Sequence, residues 1–354
     1  MSMNPLNKLT ALGQSLWLDY IKRDLITSGK LKKLITEDDL RGITSNPSIF
    51  EKAIAESDDY KIEGNDANTL YETLTQRDVR DAADEFREVY KKTKCHDGYV
   101  SLEVNPHLAH DTKGTIIEAR RLWSALSRPN VFIKVPATRE GLPAITQLIS
   151  EGINVNVTLL FVLPRYREVA DAYMAGLEQR VAQGKSLESI ASVASFFLSR
   201  IDTLIDPLLE SKWQGQVAIA SAKIAYEIYQ EIITSDRFKK LAEKKAQAQR
   251  LLWASTSTKN PAYSDIKYVE ALIGPDTVNT LPVETLDAYR DHGDPKSRLQ
   301  DNVDQAHQVF EQVKKSGIDI NALTQQLEDE GVEKFKTSFD QLIATLEKKI
   351  RNES

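Results

Sequence analysis

The chain has 354 residues, 41% of them hydrophobic and 28% charged, with a formal net charge of −6 and one cysteine. The acidic balance argues against nucleic acid as a partner, and an anionic substrate would need a local basic pocket rather than a general field. The lone Cys95 excludes an intrachain disulfide and a cysteine-rich metal site, and no apolar run is long enough to span a bilayer. Met1–Lys8 has no apolar signal segment, so a cytoplasmic location is expected.

Residues 4–14 suit a short helix. Ser15–Ile21 reads as a first strand with Asp19 inside it, and helical sequence follows to about Ile35. Gly42–Pro47 is a second short strand with Thr44 and Asn46 on one face. A long polar region leads into a helical pattern over Arg77–Lys92, in which Phe86 faces inward. Gly98–Val104 is a third strand, with Ser101 and Glu103 on one face. A helix is expected over Thr112–Ser127, with Trp123 in its apolar stripe.

Asn130–Thr138 is the fourth strand. Val131, Ile133 and Val135 fall on one face; Phe132, Lys134 and Pro136 fall on the other. Both faces are largely apolar, as in a strand buried on two sides. Two readings of Lys134 stand open here. It is a lysine held by a buried carboxylate, or one whose pKa is lowered by desolvation so that its neutral amine forms a Schiff base.

A helix over Leu142–Ser150 precedes a fifth strand, Asn154–Phe161, that sets Asn154, Asn156 and Thr158 on one face. Pro164 opens a helix to about Gln183. Ser189–Leu198 is a sixth strand, followed by Ser199 and Arg200. A helical region spans Ile201–Ile233, interrupted near Trp213–Gly215, and Asp236–Arg250 reads as a solvated helix. Leu251–Thr256 and Thr277–Leu281 are the seventh and eighth strands, with a short helix over Tyr263–Ile273 between them. From about Ser297 the chain is helical, and Phe335, Phe339, Leu342 and Leu346 form an amphipathic stripe.

Eight strands with helices between most of them predict an α/β fold: one (β/α)8 barrel domain over 1–354. Residues 1–14 form an amino-terminal helical extension, and helices from about 297 to 354 pack on the barrel. An open doubly wound sheet is the alternative, but no Gly-rich phosphate turn follows the first strand. A barrel interior favours Val, Ile and Leu, so polar intrusions from successive strands mark a site. Asp19, Asn46, Glu103, Lys134, Asn156 and Thr158 are those intrusions. Taken alone, Thr158 reads as strand filler, Asn46 as a pre-proline turn residue and Asp19 as a cap. Together they suit imine chemistry. Lysine supplies the electron sink, Asp19 and Glu103 divide the proton transfers, the asparagines hold hydroxyls and Thr158 positions a water.

The runs Ile43–Ser48, Ser101–Val104, Ile133–Thr138, Asn156–Phe161 and Leu252–Thr256 resemble the transaldolases. The resemblance implies a class I, Schiff-base barrel enzyme. It would move a dihydroxyacetone unit from sedoheptulose 7-phosphate to glyceraldehyde 3-phosphate, giving erythrose 4-phosphate and fructose 6-phosphate. No metal or organic cofactor is implied. The implied partners are small-molecule sugar phosphates, with the chain a monomer or homodimer.

By that resemblance Lys134 is the Schiff-base lysine and Asp19 the base for C3–C4 cleavage. Glu103 is the acid–base group working through a water that Thr158 holds, and Asn46 and Asn156 bind substrate. Ser195 and Phe197 line the sugar site, Arg200 binds phosphate, and Ser255 matches the seventh-strand serine. The chain departs from shorter members in Thr256–Asn260, where they carry a phosphate-binding arginine. There Lys259 takes that charge and Ser257 donates a hydrogen bond, or Lys259 is a solvated loop lysine. The loop and the long amino-terminal region resemble the longer subfamily. A simple Schiff-base aldolase, with Tyr20 or Tyr99 at the water site, and a non-catalytic sugar-phosphate-binding barrel are the rival readings. Cys95, beside His96, reads as a loop-edge residue, and His96, His107, His110, His292 and His307 show no metal-ligand spacing.

Overall fold

The computed structural model describes residues 4–61 and 64–353. Met1–Met3, inside the expected amino-terminal extension, lie outside the described residues. Eight parallel strands close into a barrel in chain order: β1 Gln14–Asp19, β2 Gly42–Thr44, β3 Tyr99–Glu103, β4 Val131–Pro136, β5 Val155–Leu160, β6 Ser192–Phe197, β7 Arg250–Ala254 and β8 Thr277–Leu281. β1 pairs with both β2 and β8, which removes every sheet edge. The predicted (β/α)8 barrel is the observed fold.

The helices differ from expectation in instructive ways. The polar region after β2 holds α4, Pro47–Ala55, and α5, Ala67–Glu85, the latter breaking at Phe86 before α6, Arg87–Lys92. (α1 is Leu6–Ala11, α2 Arg23–Thr27 and α3 Lys30–Glu37.) The start of α5 was hidden because its buried positions include Thr75 and Asp78 as well as apolar residues. Asp78 is buried against the Arg23 guanidinium and accepts from the Tyr60 hydroxyl at 2.9 Å. Tertiary partners thus neutralise a residue that reads as surface. α7, Thr112–Leu126, α8, Gly141–Glu151, and α9, Leu163–Ala182, lie where periodicity placed them. The Ile201–Ile233 region divides into α10, Ser199–Ile205, two single 3-10 turns, and α11, Val217–Thr234.

The Asp236–Arg250 expectation needs correcting. Only α12, Asp236–Ala242, is helical. Arg250 opens β7 and points into the lower barrel, where its guanidinium donates to Ser15 Oγ (2.8 Å), Asp97 Oδ1 (3.0 Å) and the His96 carbonyl (2.6 Å). The same Asp97 accepts from Ser15 Oγ and Trp17 Nε1. This satisfied buried ion pair plugs the amino-terminal end of the barrel. Above it lie Trp17, Tyr99 and Phe132, with the Tyr99 and Phe132 ring centroids 4.2 Å apart.

Gly42 makes that aromatic layer possible. A Cβ there would stand 2.6 Å from ring carbons of Trp17. Gly42→Ala is therefore expected to cost about 2–3 kcal/mol, as overpacking of a dense core does. A urea midpoint equal to the parent's would contradict this packing.

After β8 come α14, Val283–His292, α15, Val303–Lys315, and α16, Ile320–Glu353; α13, Lys267–Ala271, precedes β8. α16 runs across the carboxyl-terminal mouth and packs on α4, α5, α10 and β5. Its tethers are polar as well as apolar. Ser338 Oγ meets Ser48 Oγ at 2.6 Å, the Lys349 ammonium donates to the Ile54 carbonyl at 2.9 Å, and Phe339 packs edge-on to Tyr71. One apolar cluster runs from Leu6 to Leu346. No helix among the described residues is long and apolar enough to cross a membrane.

Candidate active site

Lys134 stands near the top of β4, in register with Glu103 of β3 and Asn156 of β5. Its side chain is 5% exposed. Its ammonium donates to the Ser45 carbonyl at 2.9 Å and lies 3.2 Å from Glu103 Oε2, whose side chain is 3% exposed. The Lys134–Glu103 approach is an ion-pair contact rather than an aligned hydrogen bond, because both Glu103 oxygens lack a hydrogen-bond partner in the protein. Burial pushes the Glu103 carboxyl above its ordinary value, and Lys134 only partly offsets this.

Asp19 ends β1. It accepts from Thr44 Oγ1 at 2.6 Å, and Thr44 shares a 2.7 Å hydrogen bond with Thr280. Asp19 is partly open to the mouth, yet burial again raises its carboxyl, against the pull of the Thr44 hydroxyl and Lys134. Burial raises both carboxyls, and groups of this kind near a buried amine are suited to proton transfer.

Asn156 is fully buried. Its amide donates to Ser101 Oγ (3.1 Å) and its carbonyl accepts from Ser195 Oγ (2.7 Å), tying β3, β5 and β6 together. Thr158 follows on the same face, and its buried hydroxyl has no protein partner. Immediately afterwards the strand's alternation fails. Leu159 adopts φ +55° at an irregularity in the β5–β6 register. Asn46 combines two roles. Its side chain caps α4 by accepting from the Ile49 amide at 3.0 Å, with Pro47 in the first helical position, and the residue also lines the cavity.

A cavity of about 420 Å³ opens at this end of the barrel. Ten of the twelve candidate residues line it: Lys134, Asp19, Thr158, Asn46, Ser195, Phe197, Arg200, Ser255, Ser257 and Lys259. Asn156 does not border it, and Glu103 borders a separate pocket of about 50 Å³ with Tyr71, Leu102 and Phe339. Arg200, in the first turn of α10, lies over the Phe197 ring at 5.5 Å. Ser255, at φ +54°, bonds to Ser199 Oγ at 2.9 Å, and the Lys259 ammonium donates to Ser257 Oγ at 2.7 Å. The lining holds five cationic side chains and two acidic ones, the local basic pocket that an acidic chain needs for an anion. A larger cavity of about 710 Å³ lies alongside, over Leu18, Leu25, Leu34 and Leu286, but none of the twelve residues borders it.

Reading the strands alone missed several contributors. Thr44 shares the Asn46 face in the strand pattern, but its partner Thr280 carries no sequence signal. Lys52 lay in the polar stretch after β2. Lys334 and Phe335 come from α16, and the Phe335 ring sits 5.9 Å from the Lys134 ammonium. Tyr99 is removed from the site: its hydroxyl donates to the Cys95 carbonyl at 2.7 Å, below the aromatic layer. Tyr20 remains at the rim. His107, His110, His292 and His307 pair with surface carboxylates. No group of three or more His, Cys, Asp or Glu residues placed to hold a metal ion occurs among the described residues.

A closed parallel barrel with a buried lysine paired to a carboxylate at its carboxyl end, and a second carboxylate lining the same cavity, has the architecture of imine-forming, class I aldol enzymes. The family model described as transaldolase/fructose-6-phosphate aldolase matches residues 16–346. The chain is 50% identical to a transaldolase of Trichodesmium erythraeum over 375 aligned positions, covering 99% of both chains. It is 48% identical to transaldolase 2 of a Nostoc species, again over 99% of both, and 48% identical to a Saccharopolyspora erythraea transaldolase, over 98% of this chain and 97% of that one. The chain belongs to the transaldolase/fructose-6-phosphate aldolase family.

Proposed function

We propose that this chain is a transaldolase that carries a dihydroxyacetone unit on Lys134, from sedoheptulose 7-phosphate to glyceraldehyde 3-phosphate. The observation that supports this most is the buried Lys134–Glu103 pair at the base of a cationic cavity. The amine must be free of its proton to attack the donor's carbonyl, and Glu103, 3.2 Å away, is within reach to take it. Attack gives a carbinolamine, which loses water to leave the imine. A water held between the unpartnered oxygens of Glu103 and Thr158 would satisfy both and pass the protons of dehydration and hydrolysis.

Asp19 then takes the proton of the donor's C4 hydroxyl as the C3–C4 bond breaks, with the bond's electrons moving into the imine. The aldose phosphate leaves, and the retained three-carbon enamine attacks the acceptor aldehyde. Asn46, Asn156 and Ser195 hold hydroxyls, Phe197 walls the sugar, and Arg200, Ser255, Ser257 and Lys259 face the phosphate. Phe335 shields the enamine from water, which favours transfer over release of free dihydroxyacetone. Phe335→Ala is expected to raise the ratio of dihydroxyacetone released to unit transferred by several-fold; an unchanged partition would remove Phe335 from that role.

In this reading the chain acts as one barrel domain in the cytoplasm, as a monomer or homodimer. Incubation with fructose 6-phosphate and borohydride, followed by peptide mass analysis, tests it. A reduced adduct is expected on Lys134, and an adduct on another lysine would overturn the assignment. Arg200→Ala is expected to raise KM for fructose 6-phosphate on the order of tenfold, the loss of one charge-assisted hydrogen bond. An unchanged KM would take Arg200 out of the phosphate site.

A further inference from the structure

The cationic end of the cavity is not built by the strand loops alone. Gly331, Lys334, Phe335 and Ser338 follow helical spacing and lie on one face of α16. That face is pinned from both sides of Lys334. Ser338 bonds to Ser48, and Phe335 covers Lys134. One turn earlier, the bare Gly331 lets the helix approach Arg200. A Cβ at Gly331 would lie 3.4 Å from the Arg200 guanidinium and 2.9 Å from Leu159. Lys334 therefore projects over the cavity from the turn that follows the Arg200 contact, and it lines that cavity with Arg200, Lys259 and Lys52.

The charged neighbours that weigh on Lys334 are Arg200, Lys259 and Lys52, all cations. Lys52, Arg200 and Lys334 have no carboxylate ion-pair partner among the described residues. On the rest of the surface, lysines and arginines commonly pair with carboxylates, as Lys336 does with Glu333 two residues further along α16. Asp19 and Glu330 act on Arg200 from a distance and Glu284 also lines the cavity, but none of them pairs with these cations, and like charges gathered in this way favour an anion joining them. A phosphate dianion fits the arrangement, with Arg200 able to grip two oxygens and Lys334 able to approach from α16.

We infer that Lys334 is a phosphate-binding residue of this enzyme, so that the sugar's phosphate is held between the barrel's strand ends and the helix crossing its mouth. This rests on the transaldolase reading and extends it. Phosphate binding then draws α16 onto the cavity, and the same helix carries the Phe335 ring over the reacting lysine. Recognition of the phosphate and exclusion of water from the imine are thereby linked through one rigid element.

The test compares the parent with Lys334→Met and Lys334→Arg, using fructose 6-phosphate, unphosphorylated fructose and inorganic phosphate as probes. Lys334 is exposed, so both variants should fold, and circular dichroism checks this. For Lys334→Met the preference for fructose 6-phosphate over fructose, as a ratio of kcat/KM values, is expected to fall on the order of tenfold. The inhibition constant of inorganic phosphate should rise by a similar factor, and Lys334→Arg should recover most of both. An unchanged preference with unchanged phosphate inhibition would overturn the inference. Equal losses on both sugars would overturn it too, since they would report a displaced helix rather than a lost phosphate contact. Borohydride trapping on Lys134 separates the two levels. A parent adduct with an unaffected Lys334→Met defeats only this inference, whereas no parent adduct defeats the transaldolase mechanism itself.

Discussion

Lys134→Met is expected to lower turnover by roughly 10⁴-fold or more, to the detection limit, because Lys134 is the buried cavity lysine beside a carboxylate, whereas Lys52, Lys259 and Lys334 come from the rim. Methionine keeps most of the lysine stem's volume against the surrounding barrel. The substitution also strips the buried Glu103 of its cationic partner. Losing one member of a buried pair commonly costs about 3–5 kcal/mol because a charge is left behind. Here the remaining carboxyl has an escape, since burial already raises its pKa.

The consequence has a definite sign. A carboxyl whose folded pKa lies above its unfolded value binds its proton more tightly in the folded protein. Its contribution to stability is therefore complete below the unfolded pKa and is lost as pH rises through the folded one. Lys134→Met should accordingly be nearest the parent in stability under mildly acidic conditions and furthest from it under alkaline ones. Denaturant midpoints at several pH values read this directly. A deficit that grows as pH falls would show that Glu103 does not take up the proton. Measurable turnover in the folded variant would remove Lys134 from the mechanism.

Glu103→Gln is expected to slow turnover about 10²–10⁴-fold, the usual range for losing a positioned acid–base group. The amide keeps the shape beside Lys134 but cannot accept the ammonium's proton. The slowed steps should be imine formation and hydrolysis, so the rate of borohydride-trappable adduct formation should fall with kcat. Asp19 and its Thr44 hydrogen bond remain in place to serve the C3–C4 cleavage. Equal trapping rates in variant and parent would assign the proton transfers elsewhere. Glu103→Ala is the less informative choice, since it enlarges the 50 Å³ pocket that Glu103 already borders.

Much of this is legible in the amino-acid order. The eight strands stood out because each is short, apolar and bounded by turn or helix signals. The polar intrusions stood out against that background. Two kinds of feature stayed hidden. Arg250 and Asp78 read as surface charges because their partners, Asp97 and Arg23, are remote in the chain. α5 was obscured for the same reason. The mouth of the barrel was the other blind spot. Phe335 fitted an apolar stripe and Lys334 its polar flank, and helical spacing cannot say what a stripe packs against.

The amino-acid order alone settled the strand count, the barrel class and the candidate reactive groups on their strands. It could do so because strand alternation and helical periodicity are local properties, written within a few residues of chain. Distances between strands, and the charge environment they create, are not local. Only the closed barrel brings Glu103 within 3.2 Å of Lys134, ties Asn156 to Ser101 and Ser195, and raises two carboxyls together by burial. Only the packing of α16, more than 180 residues beyond Lys134 in the chain, decides that Phe335 caps the lysine and that Lys334 joins Arg200 over the cavity. Burial and electrostatics depend on everything within several ångströms of a group, and chain order does not specify those neighbours until the fold is complete.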